Sequence, residues 1–220
     1  MFHKYPSNKK DDSYKIGQSI LFGHTDASMS FTPSVTGDNT VFTTSFWMKT
    51  LGVSVGSQTS YTSVVQCYPN GQDFMVYKLQ SGASPVFQLN AYTSSAGNGY
   101  WTGDRAYNDW SAWVHMCITY NKGITKIYVN GVEDTVSYTT TGNWVGDIPT
   151  PFNTAGKPIQ VGPGIAPGAN TPDIYLSDYY WLDGLVKGPE HFAADDSKGH
   201  YNPIPYEGEY GVNGCHLEFG

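Results

Sequence analysis

The stretch WVHMCITYNKGITKIYVNG, residues Trp113–Gly131, decides the fold. Two runs of β-branched and aromatic residues, Trp113–Tyr120 and Thr125–Val129, flank a tight connection at residues 121–123, and an Asn-Gly pair follows at once. Asn and Gly tolerate the positive φ angles that hairpin turns require, so the stretch predicts an antiparallel hairpin. Alternation along the first run gives the hairpin one core face, formed by Val114, Met116, Ile118 and Tyr120.

Similar short runs recur along the chain, and turns rich in Gly, Pro, Asn and Ser separate them. The predicted strands are Ser19–Phe22, Ser28–Phe31, Val41–Lys49, Ser63–Tyr68, Asp73–Leu79, Pro85–Tyr92, Pro158–Gly162, Asp173–Asp183 and Cys215–Phe219. Thr93–Trp110 and Ser137–Lys157 are predicted as long loops, and Gly188–Phe192 as one helical turn. With no long helical pattern, the sequence predicts an all-β antiparallel sandwich, or jelly roll. Residues 18–220 form its single domain, and residues 1–17 an extended arm that either docks on a neighbour or stays unstructured.

The amino-acid composition and net charge limit which classes of binding partner are expected. The chain has 220 residues and a net charge of −7, and Arg105 is its lone arginine. A nucleic-acid partner is not expected, because phosphate binding needs clustered Lys and Arg. The N-terminal residues lack the apolar core of a secretion signal, and no apolar run is long enough to cross a membrane.

The three cysteines, Cys67, Cys117 and Cys215, do not form a disulfide framework, because their number is odd and the domain is large. Cys117 falls mid-strand, where a buried free thiol is expected. A Cys67–Cys215 bridge stays open as an alternative.

Aromatic and polar residues of the two long loops are the candidate ligand-binding residues. Aromatic rings stack on apolar faces of ligands, and neighbouring polar groups bond their hydroxyls. The same residues would also suit a subunit interface or plain packing over the ends of the sandwich. The candidates are Tyr100, Trp101, Asp104, Arg105, Tyr107, Asn108, Trp110 and Trp144.

A calcium ion would take oxygen ligands from Asp, Asn and backbone carbonyls. Asp104, Asp109 and Asp147 are weak candidate ligands, without a recognised calcium-loop spacing. Solvated turn residues are the alternative interpretation, and no cofactor is expected.

Catalysis is not expected. The five glutamates do not form a paired motif along one strand, although glycosidases need two carboxyl groups close together. Glu207 and Glu209 share a Gly-flanked turn near the end of the sequence. No G-x-S-x-G elbow occurs. His115 is interpreted as a hydrogen-bonded sheet residue.

Several segments in this order resemble the laminin G-like branch of the concanavalin A-like lectin/glucanase superfamily. They are TSFWMK at Thr44–Lys49, W-x-H at Trp113–His115, ITYNKG at Ile118–Gly123, IYVNG at Ile127–Gly131, IQVG at Ile159–Gly162 and YLSDYYWLDG at Tyr175–Gly184. The pattern Y-x-G-x-YG-x-NG-x-x-L-x-F at Tyr206–Phe219 further resembles laminin G-like domains of bacteriophage virion proteins, tail fibres among them.

The resemblance implies a non-enzymatic protein on a virion surface, assembled in the host cytoplasm, that recognises a host-surface glycan or receptor. The alternative is a structural fibre, tail or decoration protein whose sandwich contacts other virion proteins; a glycan hydrolase is a third interpretation. A homo-oligomer is expected, and a trimer would suit a fibre, although the sequence contains no coiled-coil heptads.

Overall fold

The computed structural model describes residues 14–23, 28–50, 61–67, 74–80, 86–94, 96–106, 109, 111–140, 143–144, 146–162, 173–196 and 198–219. These residues form sixteen strands and one short 3-10 turn at Pro189–His191, which confirms the predicted helical turn. In chain order the strands are β1 Ile20–Phe22, β2 Met29–Phe31, β3 Val41–Thr50, β4 Tyr61–Cys67, β5 Phe74–Gln80, β6 Val86–Thr93, β7 Gly97–Gly103, β8 Val114–Asn121, β9 Ile124–Val129, β10 Val132–Asp134, β11 Val136–Thr140, β12 Ile159–Val161, β13 Ile174–Asp183, β14 Ala193–Asp195, β15 Tyr201–Pro203 and β16 Cys215–Leu217.

Two seven-stranded antiparallel sheets form a sandwich, as predicted. Sheet A has the order β1-β13-β3-β8-β9-β10, with β16 also paired to β13, and sheet B has the order β11-β7-β6-β5-β4-β12-β2. One continuous core lies between them, since Phe46 of sheet A and Leu89 of sheet B belong to the same cluster of buried side chains. No helix in the described part of the chain is long and apolar enough to span a membrane.

The predicted hairpin is β8–β9, and its turn has the expected left-handed geometry. Lys122 and Gly123 have φ angles of 50° and 87°, and the following Asn130-Gly131 turn has 46° and 78°. The predicted core side chains Met116, Ile118 and Tyr120 are fully buried between the sheets. The hairpin is therefore the scaffold that the sequence indicates.

The outer face of sheet A is covered by the C-terminal part of the chain. Cys117, Tyr180 and Leu182 point away from the main core and pack against Phe192 and Tyr206 in a second apolar cluster. The face of β8 opposite the core is consequently as buried as the core face itself. This third layer explains why that strand is apolar or aromatic at nearly every position.

The two predicted long loops are wrong in part, because each contains a strand. β7 lies within Thr93–Trp110, and β11 begins one residue before the predicted loop Ser137–Lys157. Three glycines in β7 hide its pattern, since glycine ordinarily weakens a strand. Gly99 is required by packing, because a Cβ there would lie 2.7 Å from Trp101 Cη2.

The chain ends meet on β13. β1 pairs with Ile174–Leu176 and β16 with Tyr179–Trp181 along the same edge of this strand. A register shift lies between Ser177 and Tyr180, where Asp178 adopts a left-handed φ of 50°.

All three cysteines are free thiols, so Cys67 and Cys215 are not bridged. Most of the predicted arm, residues 1–13, lies outside the described residues, and the arm begins to be described at Tyr14.

Candidate functional site

Trp101 and Trp144 are core residues. They are 4% and 2% exposed, and their rings meet edge to face at 5.4 Å. Trp144 Nε1 also donates to the Gly97 carbonyl at 3.0 Å. The loop placement of Trp101 is wrong, and neither ring presents a free face on which a ligand could stack.

Tyr100 is the predicted aromatic residue that the structure places on a partly exposed surface. It lies on β7, between the buried residues Gly99 and Trp101, so its side chain points to the outer face of sheet B. Its predicted loop position is wrong for the same reason as that of Trp101. Tyr107, Asn108 and Trp110 lie outside the described residues.

Asp104 and Arg105 follow β7 and are exposed. Their structural partner is Asp134, which is 2% exposed and accepts a hydrogen bond from the Arg105 backbone N–H at 3.1 Å. Burial raises the pKa of Asp134, and the hydrogen bond with the Asp104 carboxyl raises it further. The pair lies where β7 of sheet B and β10 of sheet A end.

The weak calcium candidates have other partners in the structure. Asp109 accepts hydrogen bonds from the backbone and hydroxyl of Ser111 at 3.0 and 2.7 Å. Asp147 forms an exposed ion pair with Lys122 at 2.7 Å. Across the described ranges, no three His, Cys, Asp or Glu side chains are grouped as a metal ion would require.

The outer face of sheet B carries a row of residues in register across all seven strands. Along β6, and along β7 from Asn98 onward, exposure alternates strictly, which separates the core residues from the outer ones. Strand pairing then connects one residue per strand: those of β11, β7, β6, β4, β12 and β2 are polar, and Gln66 of β4 is 0% exposed. In sheet order this polar row is Thr139, Tyr100, Asn90, Val76, Gln66, Gln160 and Ser30.

Hydrogen bonds between neighbouring strands hold part of this face in place. Gln66 Nε2 donates to Gln160 Oε1 at 2.6 Å, and next to the row Gln88 Nε2 donates to Thr102 Oγ1 at 2.7 Å. Asn90 Oδ1 and Gln66 Oε1 are buried atoms that accept no hydrogen bond within the described residues. Amides and hydroxyls both donate and accept, so the face is suited to a partner rich in hydroxyl groups.

The strands of sheet B are almost free of charge. As the structure describes them, they contain no Asp and no Glu, and Lys78 is their one charged residue. Glycoside hydrolysis needs a pair of carboxyl groups on either side of the scissile bond. The strands of this face do not supply such a pair.

His115 lies in the interior of the protein, as its interpretation as a hydrogen-bonded sheet residue predicts. Its Nε2 lies 2.8 Å from Ser45 Oγ, and the two residues are 0% and 1% exposed. Burial lowers the pKa of His115 to about 4. Since Nδ1 has no partner among the described residues and neither side chain reaches a surface, this Ser–His pair does not form a nucleophilic site.

A cavity of about 250 Å³ lies at the β13 bulge, bounded by residues 14–18, Asp178 and Glu218. Asp178 Oδ1 accepts from the Tyr14 hydroxyl at 2.5 Å, and His216 Nε2 lies 2.7 Å from the same oxygen. This carboxylate is already bonded within the chain, so we assign the cluster to structure and not to ligand binding.

The polar row was missed by sequence reasoning. The alternation of Gln88, Asn90 and Tyr92 with apolar residues is visible in the sequence and marks a strand with one solvent-facing side. Its continuation across the sheet was not visible, because Gln160 joins the row through β12, which inserts between β4 and β2.

Residues 23–162 match the Laminin_G_3 family model of the concanavalin A-like lectin/glucanases superfamily. No curated protein sequence is significantly similar to the chain.

Among solved structures, the SAP-like pentraxin from Limulus polyphemus has a TM-score of 0.55 at 15% identity, over 80% of each chain. The binding domain of botulinum neurotoxin serotype D has a TM-score of 0.55 at 12% identity, over 84% of this chain and 46% of that one. The enzymatically active domain of tailspike protein 2 from bacteriophage CBA120 has 0.50 at 10% identity, over 74% and 25%. At these identities the likeness concerns the fold.

Proposed function

The chain belongs to the concanavalin A-like lectin/glucanases superfamily, and on this premise we propose that it is a non-enzymatic glycan-binding protein whose site is the outer face of sheet B. The observation that carries the proposal is the polar row, in which Thr139, Tyr100, Asn90, Gln160 and Ser30 are each at least partly exposed. An outer sheet face of a soluble sandwich is often polar, but a hydroxyl-rich ligand needs amide and hydroxyl partners held in fixed positions.

Geometry supports the proposal at the centre of the row. Tyr100 and Asn90 are direct cross-strand neighbours, and both side chains are partly exposed, although Asn90 Oδ1 itself is buried. A sugar ring could stack on the phenol of Tyr100 while its hydroxyls bond neighbouring polar groups of the face. The Gln66–Gln160 and Gln88–Thr102 bonds limit side-chain motion, which lowers the entropy lost on binding.

The absence of Asp and Glu from the strands of sheet B supports binding without hydrolysis. A polysaccharide that the protein binds should therefore be recovered intact, with no new reducing ends after long incubation. Release of reducing ends that a Tyr100→Ala substitution abolishes would overturn the non-enzymatic part of the proposal.

Binding itself is tested with a glycan array followed by titration calorimetry on the best ligand. Tyr100→Ala and Asn90→Ala should each weaken binding about tenfold or more, whereas Tyr100→Phe, which keeps the ring, should lose less. Trp113→Ala is the control, because Trp113 belongs to sheet A's side of the molecule and is 39% exposed there. Glycan binding that none of the sheet B variants changes would exclude this face.

The biological setting that we propose is the surface of a bacteriophage particle, with host-surface glycan as the ligand and other virion proteins as neighbours. It is supported by the resemblance of Tyr206–Phe219 to phage virion domains. Mass spectrometry of purified particles would test it, and finding the protein only in uninfected host cells would contradict it.

A structural role in the particle is the second candidate, and one surface favours it. Leu21 is 44% exposed and pairs with Tyr175 across the edge of sheet A. The ring of Tyr175 in turn lies edge to face with the exposed ring of Trp113, with 6.4 Å between the ring centroids. If this surface contacts another virion chain, Trp113→Ala should reduce incorporation into particles and leave glycan binding unchanged.

A further inference from the structure

We infer that this protein forms a two-fold dimer in which the free edge of β11 pairs antiparallel with β11 of a second copy. The inference goes beyond the proposed glycan binding and does not depend on it. β11 is the last strand on one side of sheet B, and β7 is its one neighbour among the described strands. Its other side therefore presents main-chain N–H and C=O groups, which are a template for another strand.

The other edges of the two sheets carry features that discourage strand pairing. β10 is three residues long and contains Glu133 and Asp134, and β1, β2 and β16 also have three residues each. β11 spans five residues, Val136–Thr140, with no charged residue, Pro or Gly, and it pairs with β7 without a register shift. Natural proteins shorten, charge or bulge their edge strands to prevent association. An edge with none of these devices is suited to pairing.

The hydrogen-bond pattern shows which groups of β11 face outward. The Asp104 N–H donates to the Thr135 carbonyl at 3.1 Å. Bonded positions alternate along an antiparallel strand, so the odd-numbered residues of β11 bond to β7 and the even-numbered ones direct their N–H and C=O groups outward. Tyr138 agrees with this alternation. Side chains lie closer at the non-bonded pairs, and its ring stacks on that of Trp101 with 5.0 Å between centroids.

A second copy fits this edge in one register. A two-fold axis at Tyr138 places this residue opposite its own copy and Val136 opposite Thr140, so the outward groups of both strands form about six main-chain hydrogen bonds. On the outer face of sheet B, Ser137 then lies opposite the second copy's Thr139. Both residues are exposed, and a Ser–Thr pair across two strands stabilises the pairing through its hydroxyls.

The uncharged sequence of β11 favours a second copy over an unrelated strand. A peptide that adds to a sheet edge is selected by the pockets and charges that its side chains meet, and β11 has no charge with which to select one. In a two-fold pairing, a charged residue near the axis would face its like, whereas hydroxyl and aromatic side chains tolerate one another. Because one short strand buries little area, we expect a dimer that dissociates on dilution.

Sedimentation equilibrium on the full chain tests the inference. The wild type should be mostly dimeric at about 100 µM and mostly monomeric at about 1 µM, as a Kd of about 10 µM requires. Ser137→Lys combined with Thr139→Lys places like charges opposite each other on both sides of the axis, and it should weaken association at least about tenfold. Ser137→Lys combined with Thr139→Glu places opposite charges at the same two contacts and should keep the dimer.

The controls separate a specific contact from a general effect of charge. The two added lysines change the net charge from −7 to −5, which by itself would reduce repulsion between copies. Thr32→Lys combined with Ser34→Lys adds the same two charges at exposed residues outside β11 and should dimerise like the wild type. Circular dichroism checks that each variant is folded. Hydrogen exchange needs no substitution: the amides of β11 should exchange at least about tenfold more slowly at about 100 µM than at about 1 µM.

A wild type that stays monomeric at about 100 µM would overturn the inference. A dimer that the two lysines leave intact would also overturn it, because the contact would then lie elsewhere. Loss of the dimer in the Lys–Glu variant as well would exclude the register centred on Tyr138. If the Lys–Lys variant does not fold, hydrogen exchange decides, and exchange at β11 that is independent of concentration contradicts the pairing.

Discussion

His216 Nε2 lies 2.7 Å from Asp178 Oδ1, and this contact joins the C-terminal strand β16 to the bulge of β13. The same carboxylate oxygen accepts from Tyr14 at 2.5 Å, so residues from both ends of the described chain converge on one buried group. The His216 ring also stacks on Tyr180 at 4.0 Å. Asp178 thus links Tyr14 and His216 at the position on β13 that lies between the residues paired with β1 and those paired with β16.

Replacement of Asp178 by Ala should destabilise the fold by about 1–3 kcal/mol, because the Tyr14 hydroxyl and the His216 imidazole lose their acceptor. Asp178→Asn should cost less, since Asn retains an acceptor oxygen and tolerates the left-handed φ of 50°. Urea unfolding measures both. Equal destabilisation by Ala and Asn would contradict this account.

A double-mutant cycle with Tyr14→Phe separates the hydroxyl contribution. If the Tyr14–Asp178 hydrogen bond accounts for part of the Asp178 effect, the double mutant should lose less free energy of unfolding than the sum of the two single mutants, by about 0.5 kcal/mol or more. Lys15→Ala serves as the control, because it adjoins Tyr14 and lines the same cavity without bonding Asp178 in any contact described.

Stability should fall as the pH drops from about 6.5 to about 4. Burial lowers the pKa of His115 to about 4 in the folded protein, while the unfolded chain keeps a value near 6.5. Between these values the unfolded state binds the proton and the folded state does not, so acid favours unfolding. The shift corresponds to about 3 kcal/mol of stability that is present above pH ~6.5 and absent below pH ~4.

Urea titrations at several pH values on the wild type and on His115→Gln test this effect. The variant should lose most of the slope between pH ~4 and pH ~6.5. A wild-type slope that persists in His115→Gln would assign the pH dependence to other groups.

The thiols should be unreactive in the native protein. Burial raises the pKa of Cys67 to about 12 and that of Cys215 to about 11, and it also raises that of Cys117. The thiolate is the reactive form, and it is scarce near pH ~8 for such groups. Ellman's reagent should therefore label the cysteines slowly in the native protein and completely after denaturation. In the native protein Cys215 should react first, because it is less deeply buried. Rapid native labelling of Cys117 would contradict the described cover over sheet A.

The sequence was sufficient for the fold class, because the β8–β9 hairpin and the alternating runs depend on local rules that the structure obeys. Turn residues with positive φ, such as Lys122 and Gly123, lie where the Asn-Lys-Gly segment predicts them. The site was not predictable in the same way. Gln66 and Gln160 are separated by 94 positions, and only the pairing of β12 with β4 brings their amides together.

Trp101 shows why the sequence wrongly placed aromatic core residues in a loop. Three glycines in its strand remove the strand signal, and its ring fills space that one of them, Gly99, leaves in the core. A glycine kept for close packing looks the same in the sequence as a glycine kept for a turn. The distinction requires knowing which atoms lie opposite the missing Cβ.

Gly99→Ala should therefore destabilise the protein although it is a conservative change in an extended strand. A Cβ at this position would lie 2.7 Å from Trp101 Cη2 and 2.9 Å from Trp144 Cδ1, and both rings are buried and wedged against each other. Relief of this steric overlap would require both rings to shift, and overpacking of this kind costs about 1–3 kcal/mol.

Gly17→Ala is the matched control, since a Cβ there meets no atom within 4 Å. Urea unfolding followed by tryptophan fluorescence reports stability and ring environment together. Unchanged stability would show that the Trp101–Trp144 pair has room to move. Because Gly99 lies next to Tyr100 on the opposite face, a folded Gly99→Ala protein should also bind the proposed glycan more weakly.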